Sequence, residues 1–159
     1  MNPGMDDVAI TIQHATWGQD ADAIRKIRTE VFVVEQKVPI ELEMDGADPI
    51  SRHVLAMDPD GSPVGTARLL TTGQIGRIAV LKAWRGRGIG SRLVKSLITL
   101  AQREHTRLVY LHSQVQAVPF YEHLGFRDTG APPFDDAGIP HVHMEKALMG
   151  ERGWEKGDG

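Results

Sequence analysis

The 159-residue chain has no cysteine, few aromatic residues and no long hydrophobic run. The absence of cysteine excludes disulfides, thiolate zinc sites and cysteine nucleophiles. No apolar stretch approaches the roughly 18–20 residues that a membrane-spanning helix needs. The N-terminus also lacks the basic start and apolar stretch of a secretory signal. We therefore expect a cytoplasmic protein with no membrane partner.

Positive charge is not in excess either, since 18 Lys and Arg stand against 21 Asp and Glu, for a net charge of −3. General nucleic-acid binders are normally basic, so we expect no nucleic-acid partner. The charge is unevenly placed, because residues 82–107 carry +6 and the rest of the chain carries −9. A local positive field suits an anionic ligand at one site, although a solvated basic helix face would give the same pattern.

The rest of the composition is that of an ordinary globular domain, with 41% hydrophobic and 25% charged residues. The length fits one domain. We expect a flexible N-terminus over residues 1–7 and one domain over residues 8–149. Residues 150–159 have no apolar period and are predicted to form a disordered tail.

Hydrophobic periodicity predicts a mixture of strands and helices. Alternating and β-branched runs predict strands at 8–13, 52–57, 63–70, 74–80, 108–112, 126–129 and 141–147. Apolar residues at steps of three and four predict helices near 20–34, 89–105 and 117–124. The acidic, turn-rich segment 41–50 is predicted to be a loop. The order strand, helix, strand across residues 74–112 predicts that the two flanking strands are parallel.

Glycine and arginine are concentrated between a predicted strand and the start of the best predicted helix. The segment contains Arg85, Gly86, Arg87, Gly88 and Gly90. Glycine permits positive φ and close approach of a ligand, and the free N–H groups at a helix start attract anions. Arginine adds charge-assisted contacts to phosphate oxygens. The segment therefore predicts a diphosphate site, with a tight turn and incidental arginines as the alternative.

Two common phosphate motifs do not fit this segment. A P-loop ends in Gly-Lys-Ser/Thr, which is absent. A dinucleotide fingerprint needs a third glycine where Ser91 stands, and an acid at the end of the next strand, where His112 stands. The preceding antiparallel strands also disfavour a doubly wound sheet. An NAD-type enzyme is therefore disfavoured.

The motif Arg85-x-x-Gly88-x-Gly90 resembles the Arg/Gln-x-x-Gly-x-Gly/Ala signature of the GNAT superfamily of acetyl-CoA-dependent N-acetyltransferases. A second segment, Gln114 to Phe126, resembles the family's N-x-x-A-x-x-x-Y…GF pattern, with Gln in place of the more frequent Asn. Residues 28–48 and 136–144 resemble the ElaA-like branch. The resemblance spans residues 8–148. It implies an α/β (α+β mixed) fold with a mixed, mostly antiparallel sheet of six to seven strands and about four flanking helices.

The resemblance implies transfer of an acetyl group from acetyl-CoA to a primary amine of a small molecule or peptide, by direct attack in a ternary complex. It implies that the backbone of Ile78, Ala79 and Val80 binds the thioester and the pantetheine arm. The pyrophosphate would lie on the turn, at Arg85, Gly86, Arg87, Gly88, Ile89, Gly90 and Ser91. Gln114 is a further candidate contact for the cofactor.

Tyr121 is the candidate general acid, because a phenol with a pKa of about 10 suits a leaving thiolate; a core tyrosine is the alternative. Glu35 is the candidate general base and begins an acidic region that, by the resemblance, walls the acceptor site. That region suggests a cationic amine, with a solvated acidic loop as the alternative. Arg68, Arg77 and His112 are candidate substrate contacts. The two arginines either hold a substrate carboxylate or pair with nearby acids.

Several questions stay open at this stage. His141 and His143 share a face of the last predicted strand, but this pair lacks a clear third ligand and we expect no metal. The acceptor, the general base, the use of other acyl groups and the oligomeric state are undetermined; homodimers are common among resembling proteins. A second class of function is an acyl-CoA-binding regulatory or interaction module without turnover.

Overall fold

The computed structural model describes residues 9–148. The predicted flexible N-terminus over residues 1–7 and the predicted disordered tail over residues 150–159 lie outside this range. Within it, eight strands form two antiparallel sheets, accompanied by four α-helices. The mixed α/β class is confirmed, with more strands than the six to seven expected. No helix in the described range is long and apolar enough to cross a membrane.

The elements follow one another in the order strand, helix, then a three-strand meander, helix and a second group of strands. They are β1 (Thr11–Ala15), α1 (Trp17–Arg28), α2 (Ile40–Glu43), β2 (Arg52–Met57), β3 (Pro63–Leu69), β4 (Ile75–Val80), α3 (Ile89–Arg103), β5 (Leu108–Gln114), α4 (Val118–His123), β6 (Arg127–Asp128), β7 (Phe134–Asp136) and β8 (Ile139–Ala147). A π-helical segment, Thr29–Glu35, continues α1. The first sheet has the order β1-β2-β3-β4 and the second β5-β8-β6, with β7 paired to β8.

Helix α1 begins at Trp17, earlier than the sequence indicated. Thr16 is its N-cap, and the Thr16 hydroxyl accepts a hydrogen bond from the N–H of Gln19 at 3.3 Å. The carboxylate of Asp20 in turn accepts from the N–H of Thr16 at 2.9 Å. Asp20 therefore completes a reciprocal cap from inside the first turn and does not precede the helix.

The two faces of the first sheet are covered by different helices. The apolar stripe of α3, including Leu93 and Leu97, is buried in a cluster that also contains Met144 of β8. Helix α3 therefore packs against both sheets. On the opposite face, Ile24 and Ile27 of α1 are buried in a second cluster. This placement follows from the three- and four-residue apolar spacing of each helix.

The two sheets meet at the start of β4. Gln74 forms an isolated parallel bridge with Tyr110, and the N–H of Tyr110 donates to the carbonyl of Gly73 at 3.1 Å. Gly73 has φ +98°, and a Cβ there would lie 2.7 Å from the carbonyl oxygen of Leu108. Only glycine permits this approach. The parallel relation of β4 and β5 is confirmed, and beyond this bridge no ladder pairs the two strands within the described residues.

Strand β4 contains a bulge shortly after this junction. Arg77 and Ile78 lie opposite the single residue Ala67 of β3, and Arg77 has φ +50°. A bulge turns the local side chains away from their regular direction. The Arg77 guanidinium donates to the backbone carbonyls of Leu42 and Glu43 at 3.3 and 3.0 Å. The bulge therefore ties β4 to the segment that follows α1.

Six charged side chains, which we call the charge network, join that segment to α1 and the first sheet. They are Arg28, Glu43, Asp45, Asp48, Arg68 and Arg77. Arg28 donates to Glu43 at 2.6 Å and to Asp48 at 2.7 Å. Glu43 and Asp48 are only 5% and 4% exposed, so they are not the solvated loop acids of one sequence interpretation. Although burial opposes it, Arg28 and Arg68 hold the pKa of Asp48 below its usual range.

Replacing Arg28 by Met should lower the free energy of unfolding by about 3–5 kcal/mol, because Glu43 and Asp48 would be left as buried, unpaired charges. The matched control is Arg52→Met, since Arg52 pairs with Glu104 at the surface and its loss should cost at most about 1 kcal/mol. Urea denaturation followed by circular dichroism measures both. Equal losses in the two variants would contradict a stabilising role for the charge network.

Candidate functional site

A cavity of about 300 Å³ opens where β4 and β5 diverge. Its walls come from β4, β5, α4, the β7–β8 hairpin and the chain around α2. The polar and titratable residues in its lining are Gln36, Glu43, Gln74, Arg77, His112, Gln114, Tyr121, Asp136 and His141. Apolar residues on the side of α2 and the hairpin include Phe32, Val38, Leu42 and Ile139. The cavity therefore combines convergent polar groups with apolar walls, as small-molecule sites commonly do.

One edge of β4 faces the gap without a strand partner. The N–H of Leu81 donates to the carbonyl of Val64 on β3 at 2.9 Å, and successive strand residues direct their backbone groups to opposite sides. Ile78 and Val80 therefore direct their N–H and C=O groups away from β3, toward the gap. Ala79 instead faces β3 and is buried in the core. Ile78 lines the cavity.

The glycine turn lies between the end of β4 and α3. Gly86 and Gly88 have φ values of +80° and +79°, and a Cβ at either would meet nothing within 4 Å. Gly88 is the N-cap of α3, whose first intrahelical bond runs from Arg92 to Gly88. The N–H groups of residues 89–91 therefore have no intrahelical acceptor. The turn places open space and a positive helix end together, which suits an anion.

Tyr121 lies on α4, which has Pro119 in its first turn and Gly125, with φ +96°, just past its end. The ring packs edge-on against Phe120 and Phe126, with centroids 4.9 and 6.1 Å apart. Burial raises the pKa of Tyr121 to about 12. The hydroxyl is therefore protonated at neutral pH and can act only as a proton donor there.

His112 lies on β5, on the side of the gap opposite β4. Its Nδ1 is 3.4 Å from the side-chain amide of Gln74, and its ring lies 5.3 Å from that of His143 and 5.0 Å from that of Phe134. Burial, and then the charge of His143, lower the pKa of His112 below its ordinary value. The imidazole is therefore neutral at pH 7.

Glu35 and Arg85 form an ion pair at the surface, and neither residue lines the cavity. Arg85 donates to the two carboxylate oxygens of Glu35 at 2.6 and 2.7 Å, and its Nε donates to the carbonyl of Val80 at 2.8 Å. The hydrogen bond from Arg85 lowers the pKa of Glu35. A carboxylate held in this way is a poor proton acceptor, so the geometry does not support Glu35 as the general base. The Arg85 guanidinium is thus bonded to one carboxylate and one backbone carbonyl.

Arg68 and Arg77 both take part in ion pairs with acids. Arg68 is 3% exposed and donates to Asp45 and Asp48; it does not line the cavity. Arg77 lines the cavity but is paired with Glu43 and Asp45. Of the two interpretations offered by the sequence, the structure therefore contains pairing with acids. These ion pairs also compensate the negative charge of the acidic segment that suggested a cationic acceptor.

The other predicted site residues are divided between the cavity and the turn. Gln114 lines the cavity and accepts a hydrogen bond from Gln116 at 2.6 Å. The guanidinium of Arg87 lies 4.8 Å from the centre of the Trp84 ring. A Cβ at Gly90 would lie 3.7 Å from the ring of Phe120. The turn is thus adjacent to α4, the helix that carries Tyr121.

Sequence reasoning missed the β7–β8 hairpin. The sequence predicts no strand between residues 129 and 141, but Phe134–Asp136 pairs with the start of β8. Ala137 and Gly138 both have positive φ, at +54° and +78°, as in a two-residue hairpin turn. The available signal was the sequence Asp136-Ala137-Gly138 between Phe134 and Ile139. The hairpin brings Asp136 and Ile139 into the cavity lining.

The two histidines of β8 that were considered as metal ligands both form hydrogen bonds within the protein. Nδ1 of His141 donates to the carbonyl of Ile139 at 2.7 Å, and Nε2 of His143 lies 3.0 Å from the Glu145 carboxylate. Within residues 9–148, no group of three or more His, Asp or Glu side chains is placed to hold a metal ion.

Comparison with known proteins gives a consistent result. The sequence model of the acetyltransferase (GNAT) domain matches residues 20–148. The uncharacterised N-acetyltransferase YjcF of Bacillus subtilis is 41% identical over 123 residues, which cover 76% of this chain and 87% of YjcF. Protein ElaA of Escherichia coli is 33% identical over 136 residues, which cover 80% of this chain and 87% of ElaA.

Solved structures of similar proteins share the fold. The crystal structure of Escherichia coli ElaA matches with a TM-score of 0.75 and 31% identity, covering 86% of this chain and 99% of ElaA. An acyl-CoA N-acyltransferase from Pseudomonas aeruginosa matches with a TM-score of 0.77 and 31% identity, with the same shares covered. The open β4 edge, the glycine turn and these similarities agree, and the chain belongs to the GNAT family of acetyltransferases, enzymes that transfer acyl groups from coenzyme A.

Proposed function

We propose that the protein transfers the acetyl group of acetyl-CoA to a primary amine bound in the cavity between β4 and β5. The observation that carries this proposal is the divergence of the two strands. It leaves the gap-side edge of Ile78 and Val80 unpaired by a strand, at the wall of a cavity that Tyr121 also lines. An extended pantetheine arm has amides that could pair with such an edge, much as an added strand would.

The glycine turn supports binding of the phosphates at the end of this edge. The N–H groups at the start of α3 and the helix dipole favour negative charge. The space beside Gly88 is open, since a Cβ at this position would meet no atom within 4 Å. We infer that the pyrophosphate is bound by these backbone groups, while Arg85 contributes through the ion pair that joins the turn to the end of the π-helical segment.

We infer that Tyr121 supplies the proton that the leaving thiolate needs. It lines the cavity, and its raised pKa keeps the proton on the hydroxyl until a strong base forms nearby. An N–H group of the β4 edge would polarise the thioester carbonyl, as in an oxyanion hole. The residues of the cavity thus supply alignment, polarisation and a proton donor.

The acceptor proposed for this cavity is a primary amine carried on an apolar body. Phe32, Val38 and Leu42 form the wall on the side of α2. The acids of that side are compensated by arginines of the charge network, so the wall offers little net attraction to a polycation. The acidic sequence segment therefore does not favour a polycation, and the proposed acceptor carries a single ammonium group on its apolar body.

Binding of acetyl-CoA should be weakened about tenfold or more by Gly88→Asp, because the new carboxylate would compete for the helix amides and repel the phosphates; a tenfold change corresponds to about 1.4 kcal/mol. The matched control is Gly61→Asp in the β2–β3 turn, since Gly61 has φ +83° and similar free space. Isothermal titration calorimetry measures both affinities. Unchanged binding in the Gly88 variant would show that the phosphates lie elsewhere.

Release of CoA from acetyl-CoA should depend on an added amine and should be faster with alkyl or arylalkyl amines than with a polyamine such as spermidine. The physical reason is the apolar, charge-compensated wall. A thiol-reactive dye measures the rates. Acetyl-CoA binding without CoA release for any amine would instead support an acyl-CoA-binding module. A preference for spermidine would overturn the proposed acceptor class.

Tyr121→Phe should lower kcat by about 100-fold or more, because it removes a general acid, while the Kd for acetyl-CoA stays nearly unchanged. The chain has only one other tyrosine, Tyr110, whose hydroxyl donates to Thr72 at 2.9 Å near the sheet junction. Tyr110→Phe is therefore the matched control and should retain turnover. Equal kcat in wild type and Tyr121→Phe would remove the proposed role.

A further inference from the structure

We propose that His112 is the base that removes the proton from the acceptor amine. This inference rests on the proposed function and deepens it, because amine attack requires a neutral nitrogen and the geometry does not support Glu35 as the base. It is carried by the position of His112 in the cavity lining, on the strand that faces β4 across the gap.

The other titratable residues of the cavity are poor candidates for this role. They are Glu43, Arg77, Tyr121, Asp136 and His141. Glu43 is bonded to Arg28 at 2.6 Å and paired with Arg77, and a guanidinium has no proton-accepting form in proteins. Tyr121 retains its proton. Asp136 is exposed and lies on β7, which pairs with β8 and not with β5.

His141 is separated from the gap by a strand. It lies on β8, opposite Gln114 of β5, whereas His112 lies on β5 itself, the strand adjacent to β4. His112 is therefore the imidazole nearest, in strand order, to the β4 edge that would hold the thioester.

The ring of His112 is held in place by its neighbours. The amide of Gln74 contacts Nδ1, Phe134 packs edge-on against the ring, and His143 lies beside it. An amide nitrogen can only donate, so Nδ1 accepts in this contact and carries the lone pair of the neutral ring, while Nε2 carries its proton. The lone pair thus faces Gln74, another residue of the cavity lining, across a long contact of 3.4 Å that an acceptor nitrogen could replace.

The charged groups around His112 come from two strands. His143 and His141 face it from β8 and oppose its protonation, while Asp136 faces it from β7 and favours protonation. His143 is itself bonded to Glu145. Burial adds to the histidine effects, so the free imidazole predominates at neutral pH. A base must be unprotonated at the start of the reaction, and this environment provides that state.

The proposed step conserves atoms and charge. The acceptor ammonium takes the place of the Gln74 amide and gives a proton to Nδ1 of His112, and the lone pair of the acceptor nitrogen then forms a C–N bond at the thioester carbonyl. The C–S bond breaks, and the thiolate takes the proton of the Tyr121 hydroxyl. The second proton of the nitrogen passes to solvent. The imidazolium of His112 returns a proton to the Tyr121 phenolate, so that both residues regain their starting state.

The test is the pH dependence of kcat/KM for CoA release with several primary amines. Wild type should show an acidic limb at the same pH for amines of different pKa, because the limb belongs to the free enzyme. His112→Gln should lower kcat by about 100-fold or more and abolish this limb, with the Kd for acetyl-CoA unchanged. His123→Gln, an exposed histidine of α4 outside the cavity lining, is the matched control and should behave as wild type.

A second variant, His143→Gln, probes the assignment without removing the base. Because the charge of His143 lowers the pKa of His112, its removal should move the acidic limb to higher pH while retaining the plateau rate. A limb that does not move, or a His112→Gln enzyme with full turnover and an intact limb, overturns the assignment alone. If wild type turns over no amine, the proposed function fails together with it.

Discussion

The site depends on one close backbone contact between the two sheets. Gly73 allows β5 to approach the start of β4, where Tyr110 closes the parallel bridge. The β4 bulge at Arg77 follows within a few residues, and the strands diverge from there. The β4 edge therefore has no strand partner beyond this point, although the carbonyl of Val80 accepts a hydrogen bond from Arg85. Pairing β5 along this edge would close the gap and remove the cavity.

Different interactions shape the two ends of the cleft. At the glycine turn, backbone N–H groups and a helix dipole supply positive potential without a long side chain having to be ordered. On the acceptor side, the wall is positioned by buried ion pairs whose charges compensate one another. A compensated network fixes the position of a wall without giving it net charge. Under the proposed function, chemical selectivity on that side depends on apolar surface and on a few titratable groups such as His112 and Tyr121.

Features with a local cause were predictable. The glycine turn and α3 follow from residue spacing, and the parallel relation of β4 and β5 follows from the strand-helix-strand order. Features that depend on distant partners were not predictable. Glu35 has the composition of a base in an acidic region, yet it pairs with Arg85, which is 50 residues away in sequence. The β7–β8 hairpin was missed because a three-residue strand contains too little alternation to be recognised.

The sequence by itself determined the fold class, the order of most elements, the family and the anion-suited turn before α3. These follow from short-range periodicity, from glycine's backbone freedom and from motif spacing. Only the tertiary structure decided which charges are neutralised, which side chains line the cavity and that Arg68 is buried behind its wall. The reason is that the energy of an ion pair and the protonation state of a histidine depend on distance and burial, and neither quantity is determined by separation along the chain.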